Sequence, residues 1–117
     1  MGYASKENMI SFASQLRGRL YRTVATTFTV DGWVLADGKY TQSKSVANNG
    51  EFVIKNVLPP MTTQTGNAAT DATKRRNLGT IARAKAEFTV TASNITVKIT
   101  ADTKPDCDLD VTWYLEV

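Results

Sequence analysis

The chain contains no histidine and one cysteine, Cys107. Lack of histidine removes the commonest general base and the commonest metal ligand among side chains. A lone cysteine excludes an intrachain disulfide, and with it a disulfide-stapled scaffold; it fits synthesis in a reducing cytoplasm. No apolar run approaches the ~20 residues that span a bilayer, so a soluble protein is expected. The N-terminal "MGYASKENMISF" carries charges inside any would-be apolar core, which does not fit a secretory signal. Gly2 follows Met1, but Lys6 stands where myristoylation needs Ser or Thr. Aromatic residues are absent between Phe52 and Phe88. What remains is a chain of single-domain length, 117 residues, 42% hydrophobic and 21% charged. That is near the globular average, and a chain of this size hides roughly 65% of its extended surface on folding. The 14 basic and 11 acidic residues leave a charge of +3, too small an excess to point to an acidic partner.

The first segment has helical periodicity. Met9, Phe12, Leu16 and Leu20 recur every three or four residues, with Ile10 and Ala13 widening the stripe. Ser5 suits an N-cap, Glu7 the positive helix end, and Arg17, Arg19 and Arg22 the negative one. Gly18 weakens such a helix by about 1 kcal/mol relative to alanine. An isolated helix of this length is marginal in water. Its stripe must therefore pack on its own domain or on copies of itself, and Met9, Phe12, Leu16 and Leu20 are assigned to attachment and oligomerisation.

From Thr23 the period changes to two. Val24, Thr26, Phe28 and Val30 share one face of a strand that ends at Asp31-Gly32, and a second Asp-Gly signal follows at Asp37-Gly38. Trp33 sits between these two turns, placed to cap one end of the sandwich core, and Phe28 is assigned to that core as well. "KYTQSKSV" and "EFVIKNVL" continue as strands until Pro59-Pro60, since proline cannot donate to a ladder. Residues 61–79 have irregular composition, with one helical turn over Ala68 to Arg76; the stretch is long for a structureless connection, so a short helix or a functional loop is expected. "AKAEFTVTA" and "NITVKIT" form a hairpin about Ala92-Ser93-Asn94. The closing "DLDVTWYLEV" alternates without a slip, placing Leu109, Val111, Trp113 and Leu115 in the core. The expected fold is mainly β: an antiparallel β-sandwich, jelly-roll or Ig-like, spanning residues 23–117. It is preceded by an N-terminal amphipathic α-helix within residues 1–22.

Candidate chemistry is thin. Cys107 has no histidine or basic cluster beside it in sequence and reads as a small filler. Glu51, Glu87 and Glu116 fall on different strands and are explained as exposed positions. Asp102, Asp106, Asp108 and Asp110 form a dense acidic group that could offer oxygen ligands to calcium. It lacks the Gly-bearing loop and closing glutamate of a calcium loop, and edge-strand charges against aggregation explain it better. Lys74, Arg75, Arg76, Arg83 and Lys85 make a basic stretch without interleaved aromatics, unlike a nucleic-acid surface. That stretch suits a solvated face, or a complement to the acidic group on a neighbouring subunit. The residues thus point to no enzyme, no cofactor, no metal, no nucleic acid and no membrane.

The order of features is similar to that of a known family. Gly32-Trp33, then "YTQSKSV" (Tyr40 to Val46), "FVIKNVLPP", a polar helix-like insert, and an ending with Ala101, Pro105, Asp108, Leu109 and Val111 in the pattern A-x-x-x-P-x-x-D-L-x-V follow one another. This resembles a β-rich module of phage and prophage tail-fibre and baseplate-appendage proteins, and "YASKENMISFASQL" resembles the short helical leader of such chains. "SKSV" departs from the apolar alternation usual in the module. The resemblance implies a virion structural protein, homotrimeric or otherwise symmetric. It would be assembled in the host cytoplasm and bound to itself and to other virion proteins. Alternatives are a capsid-decoration or head-fibre protein and, from another class, a carbohydrate-binding module contacting a host-surface glycan through Tyr3, Tyr21, Tyr40 and Tyr114.

Overall fold

The computed structural model describes residues 21–117; Met9, Phe12, Leu16 and Leu20 lie outside the described residues. In chain order these residues form β1 (Tyr21–Phe28), a 3-10 turn (Val30–Gly32), β2 (Val34–Ala36), β3 (Lys39–Ala47), β4 (Asn56–Val57), α1 (Ala68–Arg83), β5 (Lys85–Val90), β6 (Asn94–Ala101) and β7 (Leu109–Glu116). The architecture is mainly β, with two antiparallel sheets ordered β1-β7-β4 and β2-β3-β6-β5, and one helix.

The alternation of β7 dictates the first sheet. Leu109, Val111, Trp113 and Leu115 are all buried, and the residues between them only partly so. Each such apolar side chain withdrawn from water contributes about 1.5–3 kcal/mol. β1 pairs with β7 along its full length, from Tyr21↔Glu116 to Phe28↔Leu109. Val24, Thr26 and Phe28 point inward, and the buried Thr26 hydroxyl donates to the Val111 carbonyl at 2.9 Å. Tyr21 and Arg22 belong to β1, although the sequence places the change of period at Thr23. Arg22 joins the strand, with its guanidinium 5.0 Å from the Phe52 ring centroid. On the other flank of β7, Lys55 and Leu58 donate to the carbonyls of Glu116 and Tyr114 (2.7 and 2.9 Å), and Met61 exchanges both bonds with Thr112. Seven residues, 55–61, thus run beside five, 112–116. The excess bulges at Leu58-Pro59-Pro60, and only Asn56 and Val57 keep strand register. The full strand expected over "EFVIKNVL" is therefore reduced to these two residues, although Phe52 and Ile54 still pack on the core.

In the second sheet Ile95, Val97, Ile99 and Ala101 of β6 are buried, with Ala86, Phe88 and Val90 of β5 half-buried beside them. The two inner faces share one core. The Phe88 ring meets Trp113 edge-on across it, with centroids 5.4 Å apart and planes at 81°. β2 and β3 are joined by Asp37-Gly38, both at positive φ (51° and 75°), the type I′ hairpin that Asp-Gly favours.

The other Asp-Gly does a different job. β1 ends at Phe28, and Val30, expected on its inner face, lies in the 3-10 turn that carries the chain from one sheet to the other. The Gln42 side chain holds this crossing: its Oε1 accepts the Thr29 N–H (2.9 Å) and its Nε2 donates to the Thr29 carbonyl (3.0 Å). Gly32 passes so close that a Cβ there would lie 2.6 Å from Thr29 Oγ1 and 2.9 Å from the Gln42 amide. Trp33 then folds back and stacks on Phe28 at 5.8 Å.

α1 is longer than the single turn expected over Ala68 to Arg76. Asn67 caps it by accepting from the Thr70 N–H at 3.0 Å, and the Ala84 N–H closes the other end on the Ile81 carbonyl. Its buried residues are Asp71, Lys74, Asn77 and Ile81, at helical spacing but mostly polar. The fold should respond sharply at two points. Trp113→Ala should lower stability by about 3–5 kcal/mol in a denaturant titration. Gly32→Ala, an overpacking change far from any large cavity, should lower it by about 1–3 kcal/mol.

Candidate functional site

The polar residues of the chain converge where α1 meets β7. Lys74 is nine-tenths buried, yet its three protons find three acceptors: Asp110 Oδ1 at 2.8 Å, Thr63 Oγ1 at 3.0 Å and the Thr63 carbonyl. Asp110, on the outer face of β7, also accepts from Thr62 Oγ1 (3.1 Å), Thr63 N (2.9 Å) and Thr63 Oγ1 (2.9 Å). Burial alone would raise its pKa. The Lys74 ammonium and the Thr62 and Thr63 donors outweigh that and hold the carboxyl well below the usual range.

One helical turn before Lys74, Asp71 accepts from Thr65 N and Oγ1 (both 2.8 Å) and from Gly66 N (3.1 Å). The Thr65 N–H is the main reason its pKa is lowered. One turn after Lys74, the Asn77 amide pairs both ways with Asp106: its Nδ2 donates to the carboxylate (2.8 Å) and its Oδ1 accepts the Asp106 N–H (3.1 Å). Asn77, then the Arg76 guanidinium at 2.9 Å, lower the Asp106 pKa. The irregular segment 61–66 and the turn before β7 are thus both fastened to one face of α1.

These bonds decide between the sequence-based readings. The acidic and basic groups complement each other within one chain: Lys74 with Asp110, Arg76 with Asp106, and Lys39 with Asp102. Asp108 accepts from Val30 N at 2.8 Å, at the start of the crossing turn and next to the Thr29 that Gln42 holds. The four aspartates diverge to four separate partners, and only Asp110 lies on β7. Among the described residues no group of three or more His, Cys, Asp or Glu is placed to hold a metal ion. Arg75 reaches Gln64 at 3.4 Å, and Lys85 stands 4.0 Å from Glu87. Glu87 is in one sheet and Glu116 in the other.

A cleft of about 460 Å³ opens between Thr70, Thr73 and Lys74 of α1 and the Cys107, Asp108 and Asp110 side. Cys107 is partly buried, with Asn77 Nδ2 3.2 Å from its sulfur. Burial, then the neighbouring Asp106 charge, raise its pKa, so it is a thiol at neutral pH. The cleft offers hydroxyls and already bonded carboxylates, a lining for hydrogen-bonding a neutral polar group. Phe28, Trp33, Leu109, Val111, Trp113 and Leu115 all lie in the shared core. Tyr40 packs on that core, whereas Tyr21 and Tyr114 lie diagonally on the outer face of the first sheet, since Tyr21 opposes Glu116 and Thr23 opposes Tyr114. Lys74 and Asp110 stand out in the sequence only as members of the basic and acidic groups, and nothing there pairs them; Gln42 and Asn77 carry no signal beyond the helical spacing of Asn77 from Lys74 and Asp71. Among the described residues no helix is long and apolar enough to cross a membrane. No protein-family model, curated protein or solved structure matches the chain.

Asp71, Asp106 and Asp110 all have lowered pKa values, so their contribution is complete above the ordinary carboxylate range and is lost as pH falls below it. Stability should be level from neutrality to about pH 5 and decline below about pH 4. Asp110→Asn should cost about 1–3 kcal/mol at pH 7, the range for hydrogen bonds to charged groups. The difference from the parent should narrow on acidification, as read by urea titrations at several pH values.

Proposed function

We propose that the chain is a bacteriophage structural protein of tail or baseplate-appendage type. In this reading residues 21–117 are a displayed β-sandwich, and the N-terminal segment attaches it to the particle and to its own copies. The protein is not an enzyme, carries no cofactor, and resides in the virion after assembly in the host cytoplasm.

One observation carries the reading. The motif residues of the resemblance, dispersed over 80 positions from Gly32 to Val111, occupy interlocking places in the fold. Gly32 lies against the Gln42 amide of "YTQ", Asp108 accepts the N–H of Val30 beside "DGW", and Trp33 stacks on Phe28. Ala101, Pro105, Leu109 and Val111 are buried. Parts of the pattern that lie far apart in sequence touch one another in the fold, which supports reading them together, and the tail-appendage module is what the pattern resembles. The internal pairing of acidic and basic groups supports a structural role in the same way. A capsid-decoration or head-fibre protein is the alternative position on the particle. The exposed Tyr21, with the half-buried Tyr114 diagonal to it on the outer sheet face, favours one second reading, a glycan-contacting module, because aromatic rings on an open face suit sugar faces.

The test compares full-length protein with residues 21–117, both tagged and expressed during particle production. The full chain should be oligomeric by light scattering and co-sediment with particles. The truncated chain should keep its melting transition, become monomeric and be missing from particles. Normal incorporation of the truncated form contradicts the reading, and strong signals on a glycan array that Tyr114→Ala abolishes would replace it with the second one.

A further inference from the structure

α1 closes the side of the fold where β7 and β6 approach, but beyond its C-terminal end an apolar groove of about 420 Å³ stays open. Trp113 lines it, with Val57, Leu58 and Pro60 on one wall and Ala82 and Ala86 on the other. About 150 Å³ is enough to hold a benzene-sized group, so the groove has room for two or three large side chains. Alanines on one wall leave hollows that knobs from a partner could fill. The neighbouring edge adds Val57 and Met61, 38% and 57% exposed. An open apolar groove with exposed apolar residues at its rim is a candidate interaction surface.

We propose that this groove receives the apolar stripe Met9, Phe12, Leu16 and Leu20 of a second copy of the chain. The inference rests on the reading above that the N-terminal segment joins copies, and it specifies where that segment docks. Twenty residues precede the first described residue, Tyr21, and they carry a stripe of the large side chains that the alanine wall lacks. The direction of the chain selects a neighbour's groove over its own. Tyr21, where the segment joins the described chain, opposes Glu116, and β1 runs antiparallel to β7. Trp113 lies three residues the other way along β7, ~10 Å at the usual strand rise, and β7 itself stands between β1 and the groove wall at β4. A copy placed beyond the Glu116 end meets the stripe directly, and reciprocal or cyclic exchange closes the assembly.

The full chain carrying Cys107→Ser provides the test. Copies bearing Leu16→Cys alone are mixed with copies bearing Ala82→Cys alone and oxidised, beside the double variant and a control pair of Leu16→Cys with Ser43→Cys. A disulfide between Leu16→Cys and Ala82→Cys copies, well above the control, is expected. Ala82→Trp, which fills the groove from an exposed helix position, should shift the mass to monomer with an unchanged circular dichroism spectrum. An intrachain disulfide in the double variant, cross-linking no better than the control, or an oligomer indifferent to Ala82→Trp overturns the proposal. If the oligomer still depends on residues 1–20 in those cases, only the groove assignment fails. A full chain that is monomeric at every concentration overturns both the groove and the joining role of the segment.

Discussion

The ammonium of Lys74 is the constraint on which the arrangement of the lower half of the fold depends. A cation that is nine-tenths buried is tolerable only when each proton has an acceptor, and all three acceptors come from outside its own helix. Asp110 must therefore sit at that point of β7, on the face opposite the buried Leu109 and Val111. Thr63 must come within reach, which pulls the segment after Pro59-Pro60 against the helix. Once α1 is fixed in this way, Asp71 and Asn77 fall one turn on either side, opposite Thr65 and Asp106. The apolar contribution of the helix, mainly Ile81 with Leu78 beside it, is small by comparison. Polar bonds set the position of this helix, and the core it touches is completed by the sheets.

That balance explains what the sequence does and does not make legible. β7 is plain in the sequence because one face is dry and the other wet, and period two records the difference. The Asp37-Gly38 hairpin is plain because only a few residue pairs accept positive φ twice in succession. α1 is obscure for the opposite reason: its buried stripe is Asp, Lys, Asn and Ile, so a search for apolar periodicity sees a loop with one turn. The edge beside β7 is obscure because "EFVIKNVL" has the composition of a strand, while its pairing is governed by the two prolines that follow. Charge pairing was half legible. The acidic and basic groups stand out in the sequence, but only the fold brings residues some thirty positions apart, such as Arg76 and Asp106, into contact.

The polar cleft and the apolar groove lie at opposite ends of α1, the cleft by its first turns and the groove by its last. At the cleft, hydrogen-bonding groups are largely committed to one another, and the thiol among them is held protonated. At the groove, apolar surface stays open beside an edge too short and too proline-rich for another strand to extend the sheet. The molecule therefore offers side-chain surface rather than backbone on that flank, which favours docking of a helix over addition of a strand.

Gln42 has a consequence of another kind. Its amide faces the backbone of Thr29 as a peptide unit would, giving one acceptor and one donor to a chain that is leaving one sheet for the other. Among the genetically encoded side chains, this task has almost no synonyms. Glutamate would set an oxygen against the Thr29 carbonyl, asparagine is one methylene too short, and methionine offers neither bond. Hydrolysis of that one amide, an exchange of a single NH2 for an oxygen during ageing of the protein, would turn the surrogate peptide into a repulsive contact. The link between the two sheets is thereby exposed to chemical wear at one side chain, and its shelter from water in the interior is what protects it.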